Sequence, residues 1–301
     1  MKRNSANHKK YPLFLLTMAG LLVAACAPAS SPAQPALDCP TLESAPLICE
    51  VPAHAADEPQ SGSTCLEPGT LERYEIDSRL LNAPLHVSVY LPPCYDPRKA
   101  AGYPALYLLH GQTFDDSMWA DLGATGLADE HILSGEWPPF MMIMPFEEFY
   151  YRKAAGNQYP VAIVEEVVPW VEETFNACSR RDCRALGGIS RGASWTLRIG
   201  LNQWQVFGAL GAHSLPDFLG GPDAVALWVD GIPKDQLPKI TMDSGRLDAA
   251  IKTAYRTDAV LNEKGVPHTW QMNEGRHDEE YWRARMPDYM SWYAGLWAEG
   301  F

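Results

Sequence analysis

The 301-residue chain is 47% hydrophobic and 20% charged, an ordinary globular composition with enough apolar residues for one large core. Its formal net charge of −13 argues against a nucleic-acid partner, because phosphate binding needs a basic face. No self-similar period of about 20 to 50 residues recurs, which argues against a repeat solenoid.

In chain order, Lys2, Arg3, Lys9 and Lys10 precede an apolar stretch over residues 12–25 that is too short and too weakly flanked for a membrane-spanning helix. Residues 1–25 therefore read as a signal peptide. The stretch closes with Leu22-Val23-Ala24-Ala25-Cys26, which resembles a bacterial lipobox. Cleavage there would leave a lipid-bearing Cys26 at the mature N-terminus; the alternative is an ordinary cut that leaves Cys26 as a spare thiol. The expectation is an exported lipoprotein of the cell membrane or outer membrane, facing the periplasm or exterior. Residues 26–68 hold eight prolines and no sustained apolar period, as a tether would. Residues 69–301 form the expected folded domain.

Cys26 accounts for the odd member of seven cysteines. The other six meet an oxidising compartment after export, so local order suggests disulfides Cys39–Cys49, Cys65–Cys94 and Cys178–Cys183. The middle pair has a geometric reason, because residues 71–77 and 85–91 read as an antiparallel hairpin that brings its flanks together. No spacing favours a metal site.

Beyond the hairpin, strand-like and helical runs alternate. Strands are expected at 105–109, 140–144, 184–189, 207–212, 239–243 and 268–273, and helices at 118–133, 161–175, 193–203, 249–263 and 279–297. This alternation predicts an α/β fold whose mainly parallel sheet has about eight strands and is covered by helices on both faces, with ligands bound at the strands' carboxyl ends. The connection between residues 212 and 239 reads as a short Pro/Gly-punctuated link, which excludes a large cap.

The sharpest motif is Gly188-Ile189-Ser190-Arg191-Gly192, set where a strand hands over to a helix. This is the context of a nucleophile elbow, with a strained turn that leaves the Ser190 hydroxyl exposed at a helix N-terminus. A serine needs a base, so one of the eight histidines must serve it. His8 and His54 lie in the leader and tether, and His86 and His131 precede the motif. His268 starts the last strand at the wrong end of the sheet. His213 ends the strand after the elbow and is expected to line the pocket, but it precedes any acid. His277, just past the carboxyl end of the last strand, fits best.

Asp243 and Asp248 compete as the acid. Asp248 is preferred, because a loop carboxylate past the turn at Gly245 can lean toward His277; it also suits a helix N-cap. The oxyanion hole needs two backbone N–H groups, one from Arg191 and one from Gln112 in His110-Gly111-Gln112. Trp119, Phe149 and Tyr150 are placed at the rim as substrate-binding aromatics.

Together, Val89-Tyr90-Leu91-Pro92-Pro93-Cys94-Tyr95, Leu108-Leu109-His110-Gly111, Glu166-Val167-Val168-Pro169, Gly187-Gly188-Ile189-Ser190-Arg191-Gly192, Gly245-Arg246-Leu247-Asp248 and Gly275-Arg276-His277 resemble the esterase family. That family includes enterochelin-type siderophore esterases, feruloyl and acetyl-xylan esterases, S-formylglutathione hydrolases and mycolyltransferases. The resemblance runs from about residue 69 to residue 298, nearly the whole domain. It implies an α/β-hydrolase fold, Asp248 over Asp243, and an oxyanion donor at Gln112. Two departures are Ala193 where a third glycine is common and Cys94 where glycine is usual.

The expected function is a secreted, lipid-anchored serine carboxylesterase acting on acyl or feruloyl esters of carbohydrates, without metal or organic cofactor. A ferric-siderophore esterase or an acyltransferase is the alternative. A non-catalytic binding protein on the same scaffold is the rival from another class, disfavoured because nucleophile, acid, base and oxyanion loop are all retained.

Overall fold

The computed structural model describes residues 66–151 and 155–298. The leader and residues 26–65 of the tether, with Cys26, Cys39, Cys49 and Cys65, lie outside the described residues.

Among the described residues, eight strands form one sheet in the order β1-β2-β4-β3-β5-β6-β7-β8. β1 (Thr70–Ser78) and β2 (Ala83–Leu91) make the antiparallel hairpin, and β2 pairs antiparallel with β4 (Met141–Pro145). From β4 onward, β3 (Ala105–Leu109), β5 (Arg184–Ile189), β6 (Ala209–His213), β7 (Lys239–Gly245) and β8 (His268–Asn273) pair in parallel. The central strands β3, β4, β5 and β6 are buried at every residue, which is why they read as continuous apolar runs rather than as alternation. In β1, by contrast, exposed residues outnumber buried ones, as befits an edge.

Among the described residues, eight α-helices cover the two faces. α1 (Met118–Asp121) and α2 (Ala124–Leu133) divide the run expected as one helix, because Gly123 between them adopts φ 103°. α3 (Tyr159–Ala162) and α4 (Val168–Thr174) are joined by a π-turn over Ile163–Val167. Pro169 has no N–H to return to the Glu165 carbonyl, and the helix widens just upstream. α5 (Arg191–Asn202) follows Ser190 directly, and α6 (Gly221–Asp230) occupies the link expected to be irregular. α7 (Ile251–Glu263) and α8 (Glu279–Gly295) follow β7 and β8. The ten-residue α6 is the largest helix added between β6 and β7, so no large cap covers the carboxyl edge among the described residues.

One core packs Val87, Tyr107, Leu186 and Leu210 of the sheet under Val171, Trp195, Leu197 and Leu261 of α4, α5 and α7. The other packs Leu106, Leu108, Met142 and Ile189 under Trp119, Ala128, Met286, Met290 and Trp297. Cys178 and Cys183 form the expected disulfide before β5. Cys94 is also disulfide-bonded, and the partner the sequence assigns to it, Cys65, lies outside the described residues. At φ 60°, Cys94 holds the left-handed conformation that favours glycine.

Candidate active site

β5 ends at Ile189 and α5 starts at Arg191, so Ser190 alone makes the corner. It does so at φ 55°, ψ −120°, a conformation a non-glycine residue keeps only when its surroundings enforce it. Its N–H donates to the His213 carbonyl at 2.8 Å, and its carbonyl accepts from the Ala193 N–H at 2.8 Å. The flanking glycines are required sterically. A Cβ at Gly188 would lie 2.3 Å from the Gly192 carbonyl carbon, and one at Gly192 would lie 2.2 Å from the Leu109 oxygen.

His277 sits between β8 and α8, on the segment that the Asp278 cap ends by accepting the Tyr281 N–H. Its Nε2 lies 2.8 Å from Ser190 Oγ and its Nδ1 lies 2.8 Å from Asp248 Oδ2. With Asp248 ionised, Nδ1 must carry the proton and donate it, which leaves the Nε2 lone pair facing the serine hydroxyl. Burial alone would raise the Asp248 carboxyl. Hydrogen bonds from His277, the Ala250 N–H and Ser214 outweigh it and hold the carboxyl below its ordinary value. The other oxygen, Oδ1, accepts that Ala250 N–H at 2.7 Å, so one carboxylate faces His277 and also holds the turn that opens α7.

A supporting layer closes around this line. Trp282 stands edge-on to the His277 ring at 5.3 Å and donates its indole N–H to Ser214 Oγ at 3.0 Å. Phe114 packs edge-on against Trp282. Gly111 abuts Ser190, since a Cβ there would sit 3.6 Å from the Ser190 Cβ. Among the described residues, neither the Gln112 nor the Arg191 N–H donates to a protein acceptor, which for Arg191 is ordinary in the first turn of a helix.

Two residues expected at the rim are core residues instead. Trp119 is 1% exposed and donates its indole N–H to the Leu109 carbonyl, because α1 turns it inward beneath β3. His213 is 2% exposed and faces Asp243, its neighbour across the β6–β7 register, rather than the pocket. Phe149 and Tyr150 are half-buried in the turn after β4, each edge-on to Tyr151, and Phe149 lines a crevice with Leu81, Pro84 and Asn157. Sequence reasoning missed Trp282, Phe114, Ser214 and Glu147. Of these only Trp282, five residues after His277 in an otherwise polar segment, carried a local signal.

Residues 78–293 match the family model described as "Putative esterase". The chain belongs to that esterase family. A curated relative, the endo-1,4-beta-xylanase/feruloyl esterase of Xylanibacter ruminicola, is 26% identical over 201 residues, covering 61% of this chain; the chain spans 27% of that relative's length. Among solved structures, a ferulic acid esterase superposes with a TM-score of 0.69 at 22% identity, covering 76% of this chain and 99% of its own. A fluorophosphonate-binding serine hydrolase of Staphylococcus aureus gives 0.65 at 21% identity, covering 76% and 99%. A ferulic acid esterase of Anaeromyces mucronatus in complex with ferulic acid gives 0.60 at 21% identity, covering 77% and 91%. At these identities the structures establish a shared fold, that of the α/β-hydrolases.

Proposed function

We propose that this family member is a serine carboxylesterase using Ser190, His277 and Asp248, and that it hydrolyses feruloyl or other acyl esters of carbohydrates. The observation that carries the reading is the unbroken line from Asp248 Oδ2 through both His277 nitrogens to Ser190 Oγ, with both contacts at 2.8 Å. His277 takes the serine proton as Ser190 Oγ attacks the ester carbonyl, and Asp248 stabilises the imidazolium that forms. The Gln112 and Arg191 amides hold the oxyanion, a contribution worth about 10²–10³-fold per donor in comparable sites. His277 then protonates the leaving alcohol, and water repeats the sequence on the acyl-enzyme. The names of the relatives support a feruloyl acyl group, and an uncapped carboxyl edge suits an ester still attached to a bulky carbohydrate.

The distinguishing experiment is a hydrolysis panel of feruloyl-arabinose, acetylated xylan and ferric-siderophore esters. Preference for the feruloyl ester is expected, and turnover confined to the siderophore would overturn the substrate reading.

Export and lipidation at Cys26 belong to the same proposal and rest on the small-small-Cys end of the apolar leader. Cys26→Ser should move the protein from the membrane fraction to the soluble one. An unmodified mature N-terminus by intact mass would remove the anchor.

A further inference from the structure

Glu147 follows β4 and is buried at 4% exposure, yet the chemistry above does not use it. Its carboxylate is fully occupied. Oε1 and Oε2 accept a bidentate fork from Arg191 at 2.6 and 2.7 Å, Trp195 donates its indole N–H at 2.8 Å, and Asn157 donates at 3.0 Å. The Arg191 guanidinium is equally buried and is covered by the Phe218 ring, its carbon 3.9 Å from the ring centroid. This ion pair has no solvent to relax into, so it fixes the side chain of the residue that carries one oxyanion donor on its backbone.

The same residue reaches the other donor by a second route. The Glu147 N–H donates to His110 Nε2 at 2.7 Å, so His110 must carry its proton on Nδ1, which lies 2.7 Å from the Gly111 carbonyl. Burial keeps the His110 ring neutral by lowering its pKa. The Gly111 carbonyl and the Gln112 N–H belong to one planar trans peptide, so holding the oxygen aims the N–H in the opposite direction. We propose that Glu147 is a positioning residue that sets the two oxyanion amides, Arg191 through its carboxylate and Gln112 through His110. This rests on Ser190 being the nucleophile.

The strained corner at Ser190 explains why such a clamp matters. Relaxation of φ 55°, ψ −120° would rotate the Ser190–Arg191 peptide plane and swing the Arg191 N–H out of line. The test uses the purified chain, with p-nitrophenyl acetate as substrate and phenylboronic acid as the transition-state mimic. Ser190 Oγ adds to its boron and passes its proton to His277, giving a tetrahedral anion with an oxygen directed at the two amides. In Glu147→Gln, kcat should fall about 10–100-fold with KM little changed, less than the loss of a whole donor. The boronate inhibition constant should rise by a similar factor. A buried Arg191 left unpaired can unfold that variant, so Glu147→Leu/Arg191→Met replaces both charges by apolar side chains, a swap such sites often tolerate. It should fold and show the same paired loss.

Near-wild-type kcat in the double variant, or a lower kcat with unchanged boronate affinity, would overturn the positioning role. Ser190→Ala separates the two readings. If it abolishes turnover while the double variant keeps it, only the clamp fails; if it remains active, the nucleophile assignment fails and the clamp with it.

Discussion

Two aspartate–histidine pairs stand at the carboxyl edge of this sheet with nearly identical contacts. Asp248 meets His277 Nδ1 at 2.8 Å, and Asp243 meets His213 Nδ1 at 2.7 Å. They differ in what lies beyond the imidazole. His277 keeps 29% of its side chain exposed and turns Nε2 to Ser190 Oγ. His213 is stacked on Tyr289 at 3.7 Å between ring centroids and turns Nε2 to the Tyr293 hydroxyl at 3.0 Å. Asp243 Oδ2 also accepts from Tyr281 and Tyr289. Burial first, and the Asp243 charge second, push all three tyrosines up, so their hydroxyls stay protonated donors. An Asp–His contact becomes a catalytic base only when its far nitrogen faces a reactive group that solvent and substrate can reach. The buried pair instead pins β6 and β7 to α8, the helix that begins just after His277.

The largest effect should come from breaking the exposed pair at its reacting end. Ser190→Ala and His277→Ala should each lower turnover of a small aryl ester by about 10⁶-fold without loss of fold. His268→Ala should leave turnover near wild type, because His268 bonds to Asp258 and to the Val266 carbonyl at the amino end of β8. Activity within tenfold of wild type in either of the first two variants would remove the assignment.

Exchanging the acids sharpens the contrast. Asp248→Asn should cut turnover by roughly 10²–10⁴-fold, since the amide favours the wrong His277 tautomer. Asp243→Asn should keep turnover much closer to wild type while destabilising the fold by about 1–3 kcal/mol, as buried donors lose their acceptor. Kinetics and urea melts on both variants measure this, and the reverse ranking would move the acid to Asp243.

The pair that faces Ser190 was legible in the sequence, and the buried one was not. Gly188, Ser190 and Gly192 encode a backbone geometry within five residues, and chain order then narrows the histidines. Asp248 was favoured because Gly245 turns the chain beyond β7. His213 and Trp119 misled, because polarity or aromaticity near a strand end says nothing of which face the side chain takes. The His213 environment comes from Asp243, Tyr281, Tyr289 and Tyr293, 30 to 80 residues away. Glu147 was invisible for the same reason, since Arg191, 44 residues on, gives it its role. α6 was missed because Gly220, Gly221 and Pro222 read as loop residues, although proline is favoured in a helix's first turn and Gly220 supplies the φ of 91° ahead of it.

The smallest effect is acid dependence at the Asp248–His277 pair. Burial works to raise the Asp248 carboxyl, but the His277, Ala250 and Ser214 hydrogen bonds prevail and hold it below the ordinary 3.8. With the folded value depressed, the unfolded chain binds the proton first, so the stabilising contribution of Asp248 is present above that pH. It is lost as pH falls from there through the folded value. The stability gap between wild type and Asp248→Asn, measured by urea melts, should therefore stay flat from neutral pH down to mild acid and narrow only below pH 3.8. A gap that widens on acidification would mean that the folded carboxyl is raised instead. The His277, Ala250 and Ser214 hydrogen bonds would then not outweigh burial at Asp248.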